Sequence, residues 1–190
     1  LGLHRFLRSS LRSRWMPAGA ALLGFLEGSF IFFPIEPIAI PIMATRHRNA
    51  FVVALYILAG NIIGAVLMYG LGAVLTEAFI MPAFAYLGAA DQYARAAAAL
   101  REDGFMAIVL FGITPLVFQV GTAAAGAVGF SFPLFLAAVV LSRGVRYIAL
   151  ALVVAMIGVR AADFIERHES SIFIFGVILF FATAALMMLY

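Results

Sequence analysis

Apolar residues come in long blocks along this chain rather than at a short fixed period, and most of the charge gathers in the gaps between the blocks. No charged residue occurs from Asn49 to Thr76, from Gly104 to Ser142, or from Ser170 to Tyr190. Each block exceeds the roughly 18 apolar-dominated residues that mark a bilayer-crossing helix. Runs of this length predict helices whose surroundings are lipid, because only a helix or a closed barrel satisfies its own backbone there.

The block from Pro17 to Thr45 is interrupted. As one helix it would be about 43 Å long, against a hydrocarbon core of roughly 30 Å. It also carries Pro34, Pro37 and Pro41, and prolines at that density do not continue a helix. Either it crosses once with a kink, or it dips in, turns near Phe33 to Pro37 and comes back out. Charge separates the two. Arg5, Arg8, Arg12 and Arg14 precede the segment and Arg46, His47 and Arg48 follow it. Basic residues of short loops collect on the cytoplasmic side, and only a re-entrant hairpin over 17–45 keeps both clusters there.

The rest follows from that choice. A span over 49–76 crosses outward and holds Gly60 and Gly64 in a small-xxx-small arrangement, which serves close helix contact or is simply tolerated. An outer connection over 77–103 carries a net charge of −2. In it Asp91 is expected to cap a short surface helix from Gln92 to Leu100 and to pair with Arg95. The segment 104–131 repeats the broken pattern at Thr114-Pro115 and at Gly121, Gly126 and Gly129, and predicts a second hairpin. A span over 132–158 returns, 160–169 forms a charged cytoplasmic loop, and 171–190 is a last span. The expected fold is therefore an all-α integral membrane protein: two opposed re-entrant helical hairpins plus about three transmembrane helices. Hairpin and span recur about 85 residues apart with opposite starting sides, the inverted repeat common among secondary transporters. Residues 1–15 read as an amphipathic basic arm on an anionic leaflet, or as a positive-inside flank. The domain proper covers 16–168.

Composition agrees and excludes several chemistries. Apolar residues make up 66% of the chain and charged ones 11%, with mean hydropathy +1.14, too little charge to coat a soluble domain. There is no cysteine, hence no disulfide, iron–sulfur or thiolate metal site. His4, His47 and His168 lie far apart beside charged loop residues, so no metal centre and no cofactor is expected. The basic residues gather in the N-terminal arm rather than on a folded face, which argues against nucleic acid as a partner. A cleavable signal peptide is not expected, and the setting is a bacterial inner (cytoplasmic) membrane, crossed several times. Self-association into a homo-oligomer stays open.

Four charges fall at bilayer depth. Glu27 lies ten residues into the first hairpin and Glu36 just past its turn. Arg143 lies eleven residues into the returning span, with Arg146 one turn on along the same face. An unpaired charge at that depth costs several kcal/mol or more, so these groups are expected to face one another in the interior. Such a cluster serves either as a buried salt bridge that fixes the hairpins, or as a site where arginine's fork binds an anion such as phosphate while a carboxylate exchanges a proton. Asn61, Thr114, Gln119 and Thr122 are secondary candidates whose plainer use is to satisfy backbone groups freed at helix breaks.

The stretches GFLEGSFIFFPIEPIAIPIM (Gly24 to Met43) and FGITPLVFQVGTAAAGAVGFSFPLFLAAVVLSRGVRY (Phe111 to Tyr147), with the spacing between them, resemble the DedA superfamily, also called SNARE-associated Golgi or VTT-domain proteins, in its YqaA-like branch. The resemblance covers roughly residues 22–168. It implies two facing re-entrant hairpins and lipid translocation driven by proton motive force, with phospholipid or undecaprenyl phosphate as the membrane lipid handled. It also implies that Glu27, Glu36, Arg143 and Arg146 match the family's essential acidic and basic positions. Gln119 departs from the pattern, standing where many members carry a basic residue, which leaves a zwitterionic lipid as open as a phosphate monoester.

The function expected is thus a lipid flippase or scramblase, coupled to protons. A proton- or cation-coupled small-solute antiporter and a non-transporting scaffold are the alternatives. An enzyme is not expected: no histidine lies at membrane depth for a serine protease, and there is no HExxH and no intramembrane aspartate.

Overall fold

Two 26-residue helices, crossing one another, organise the computed structural model, which describes residues 16–29, 35–45, 49–113 and 118–157. In chain order the helices are α1 (Met16–Ser29), α2 (Glu36–Thr45), α3 (Ala50–Leu75), α4 (Met81–Tyr86), α5 (Ala90–Glu102), α6 (Phe105–Ile113), α7 (Phe118–Ala127) and α8 (Phe132–Ile157). No strand occurs among the described residues. The N-terminal arm, Arg46 to Arg48, Thr114, most of the first proline turn, the 160–169 loop and the 171–190 span lie outside them.

Local sequence explains where the helices stop. α3 contains no proline and ends in a π-helical turn, Thr76–Ile80, where the Thr76 hydroxyl donates to the Gly72 carbonyl. α4 and α8 carry proline within their first two residues, where the missing N–H has no helical partner to lose. α7 closes on Gly129 at φ 68°: Phe130 N–H donates to Ala125 O and Gly129 N–H to Gly126 O. Those two bonds are the paired closure of a Schellman cap, whose left-handed residue favours glycine.

Glycine sets how closely the helices meet. A Cβ added at Gly24 would strike the Ile57 carbonyl, and one at Gly28 the Asn61 carbonyl. In the other direction, Gly60 lies against Ala21 and Gly64 against Phe25 and Gly28. Gly24-xxx-Gly28 on α1 therefore faces Gly60-xxx-Gly64 on α3, and residue numbers climb together on both. The two helices run parallel, so the chain reverses between Ser29 and Ala50. By contrast α3 and α8 are antiparallel. Tyr69 packs on Phe132 and Phe135, with ring centroids 5.4 and 4.7 Å away, while Leu58 lies beside Gly144.

The order short helix, short helix, 26-residue helix occurs twice, as α1–α2–α3 and α6–α7–α8, with the long helices starting 82 residues apart. Asn61 and Arg143 are each the twelfth residue of their long helix, and the antiparallel crossing falls between them. Two apolar clusters lie on either side of that crossing. One joins Ala65, Met68, Phe84, Phe118, Phe135 and Val139; the other joins Ala20, Met43, Val53, Ile57, Tyr147 and Ala151.

Outward, α3 exposes Leu55, Ile63, Leu67 and Val74, and α8 exposes Leu141, Val145, Leu152 and Met156. Asn61, Gln119, Ser142 and Arg143 are inside. Both long helices are long and apolar enough to cross a membrane.

Three expectations for the 77–103 connection need correction. Helix continues past residue 76 through the π turn into α4, because TEAFIMPAFAY offers no break before Gly88 and its proline sits in a first turn. Asp91 does not cap α5: the helix starts at Ala90, its N-cap is Ala89, and no side chain bonds there. Alanine's helix propensity carries the start past the residue that would have capped it, and leaves Asp91 in the first turn, where its charge complements the dipole. α5 is also less of a surface helix than expected, since Tyr93, Ala96 and Leu100 are buried.

Candidate functional site

Glu27 lies two residues before the end of α1 and is held at the α3–α8 crossing by the glycine contacts, which bring the α1 and α3 backbones together. Only 3% of its side chain is exposed. Its carboxylate has two differently furnished sides. Oε1 faces cations, with Arg143 Nη1 at 3.3 Å and Arg146 Nη2 at 3.9 Å. Oε2 faces neutral donors: the Asn61 carboxamide Nδ2 at 3.3 Å and the Tyr147 hydroxyl. Even the Glu27 main-chain carbonyl, near the helix end, accepts from Gln119 Nε2 at 2.6 Å.

The remaining groups are graded from inside outwards. Arg143 is 0% exposed, and its guanidinium lies over the Phe118 ring, 3.8 Å from the centroid, a stacking that arginine's flat, weakly hydrated head favours. Arg146 donates to Glu36 Oε1, and these two side chains are 21% and 25% exposed. The spacing of three along α8 puts both arginines on one face, and Tyr147, four after Arg143, completes it. Thr122 donates to the Gln119 carbonyl and Ser142 to those of Ala138 and Val139, so these hydroxyls are used within their own helices.

The structure thus brings Glu27, Glu36, Arg143, Arg146, Asn61 and Gln119 into one layer between the two apolar clusters; Thr114 lies outside the described residues. Asn61 departs from its expected use: it bonds a carboxylate rather than a backbone group, because the close α1–α3 contact puts it directly against Glu27. Tyr147 and Phe118 were not singled out by the sequence. For Tyr147 the signal was available, since Arg143, Arg146 and Tyr147 stand at helical spacing. For Phe118 it was not, as one of 19 phenylalanines.

Chemically, the layer balances two carboxylates against two guanidiniums, yet does not saturate them. Arg143 Nε and Nη2, Arg146 Nη1, Glu36 Oε2 and Asn61 Oδ1 are buried and have no hydrogen-bond partner among the described residues. Leaving such groups unmet costs about 1–3 kcal/mol each, more when charged. A polar or ionic guest that supplies partners would recover that energy. Among the described residues no group of three metal-ligating side chains occurs.

No family model matches the chain, and no solved structure does. Over 158 residues it is 27% identical to an uncharacterised protein of Haemophilus influenzae, an alignment that takes in 82% of this chain and 79% of that protein.

Proposed function

We propose that this chain is an integral membrane protein of the DedA type that moves lipid across the bilayer, as a flippase or scramblase of phospholipid or polyprenyl phosphate, with proton uptake by the Glu27 layer. The observation that carries the reading is a charged layer, buried at mid-helix between apolar clusters, with three guanidinium N–H-bearing nitrogens left unmet. Intramembrane ionisable groups are costly to keep and mark pathways and relays. The apolar outer faces of α3 and α8 supply the lipid-facing surface. The parallel run of α1 and α3 supports the re-entrant hairpin, since a segment that crossed straight through would leave them antiparallel.

In this mechanism the Arg146–Glu36 pair, being partly exposed, is met first. A phosphate headgroup competes with the Glu36 carboxylate for Arg146, and the fork geometry of guanidinium suits it. Protonation of a carboxylate then leaves the layer with net positive charge, which an anionic headgroup balances. The headgroup crosses in the polar layer while its chains stay in lipid.

Two measurements test this. Purified protein in liposomes should move labelled lipid, with Glu36→Gln and Arg146→Gln slowing it at least tenfold while both variants fold normally. Equal rates in all three proteins would remove these residues from the mechanism, and collapse of a pH gradient without lipid movement would favour an antiporter. Topology is accessible because the chain has no cysteine. Cysteines placed at exposed Ala18 and Asn49 should label from the same side of the membrane, and one at Glu102 from the other. Ala18 and Asn49 labelling from opposite sides would eliminate the first hairpin.

A further inference from the structure

We propose that the proton taken up by this layer lodges on Oε2 of Glu27, and that Asn61 and Tyr147 are the positioning residues that accept it there. The inference deepens the transport reading and rests on it for the occurrence of proton uptake. It comes from the unequal furnishing of the carboxylate. On the Oε1 side stand Arg143 and Arg146. Guanidinium has donors only, so a hydrogen on Oε1 would point at other hydrogens with nothing to receive it. On the Oε2 side both partners are reversible. The Tyr147 hydroxyl donates now and accepts after rotating its hydrogen away. The Asn61 carboxamide donates through Nδ2 and holds an acceptor, Oδ1, that has no partner among the described residues. Turning the amide over presents that oxygen.

The step balances with no other reactant. One proton adds to Oε2, the new O–H donates to the Tyr147 oxygen or to Asn61 Oδ1, and no other covalent bond changes. The charged groups facing the site are Arg143 and Arg146 on α8 and Glu36 on α2, with Tyr147 on α8 as the remaining titratable neighbour. Asn61 on α3 and Gln119 on α7 are neutral. The layer passes from balanced to a net charge of +1, and Arg143 loses its anionic partner at the moment an anionic headgroup is needed. The twofold-like relation of α3 and α8 sharpens the point. Asn61 and Arg143 hold equivalent positions on the two helices, and were both arginine, neither carboxylate oxygen would face neutral groups alone. The neutral residue at the α3 position is what gives the proton a place.

The infrared carbonyl stretch of a protonated carboxyl group reads this directly, on the full chain in lipid. The wild type should show a pH-dependent carboxylic band that Glu27→Gln abolishes and Glu36→Gln leaves in place. Tyr147→Phe keeps the ring and removes one donor to the carboxylate, so the band should change frequency and the proton affinity rise about tenfold. Asn61→Leu should do the same. The pH profile of lipid movement should shift with the band. A band untouched by both substitutions, or abolished by Glu36→Gln alone, overturns the assignment. Tyr147→Phe and Asn61→Leu remove different partners of the same oxygen, so if one variant fails to fold the other decides. Wild type that shows the Glu27 band but moves no lipid would sink the transport reading and leave the proton site standing. Lipid movement with a band indifferent to Tyr147 and Asn61 would sink this inference alone.

Discussion

Arg143→Met should cost roughly 3–5 kcal/mol of stability, and the double variant Arg143→Met/Glu27→Gln should recover most of it. Arg143 is fully buried and Glu27 nearly so, and removing one partner of a buried pair leaves the other charge without compensation. The loss should fall in the lower part of that range, because Asn61 and Tyr147 still donate to Oε2 and Arg146 stands 3.9 Å from Oε1. The double variant exchanges an ion pair for an amide that still accepts from Asn61 and Tyr147, beside a thioether of similar reach. Arg143→Lys should be intermediate: the charge stays, but the flat contact with the Phe118 ring is lost and an ammonium is harder to desolvate. Thermal unfolding in detergent or lipid measures all three. A double variant no more stable than Arg143→Met would mean that the pair is not what the single substitution breaks. This entanglement with stability is also why the outer pair, Glu36 and Arg146, is the better probe of transport.

Depth along a helix is legible in the sequence, since it depends only on rise per residue and on where a segment meets charge. Glu27 and Arg143, both about ten residues into their segments, stand 3.3 Å apart. Which neutral groups surround them is not legible there. Asn61 meets a carboxylate because α1 and α3 touch backbone to backbone, and that contact comes from two glycine pairs whose mutual facing is a tertiary fact. Gly60-xxx-Gly64 by itself leaves its partner undecided. The matching Gly24-xxx-Gly28 is equally visible in the sequence, and reading the two together points to a partner within the chain. Asp91 fails as a cap for a different reason: capping depends on which residue starts the helix, and a run of alanines leaves that choice to small energies. The π turn at Thr76–Ile80 has no sequence signature, because the same residues fit an α-helix and only the hydrogen-bond register differs.

The glycine contacts lead to the second large effect. Gly24→Ala and Gly60→Ala should each destabilise the protein by about 1–3 kcal/mol, the usual range for overpacking, and by the upper end here. The obstacle at Gly24 is the Ile57 carbonyl and at Gly60 the Ala21 carbonyl, and backbone cannot swing aside as a side chain does. The helices must separate instead. Gly70→Ala is the control, with open space where its Cβ would go, and should be neutral or stabilising by up to about 1 kcal/mol through helix propensity. Because Gly24 and Gly60 hold the same gap closed, opening it once removes most of the strain for both, so the double variant should cost less than the two singles added. Separation also moves α1 relative to Asn61, lengthening the bond to Glu27 Oε2 that now spans 3.3 Å. Lipid movement should therefore fall in Gly24→Ala even at temperatures where the protein remains folded, while Gly70→Ala moves lipid at the wild-type rate. Unfolding curves and liposome assays on the wild type and these four variants decide it. Strictly additive losses, or full activity in a destabilised Gly24→Ala, would show that the close approach of α1 and α3 does not position the carboxylate.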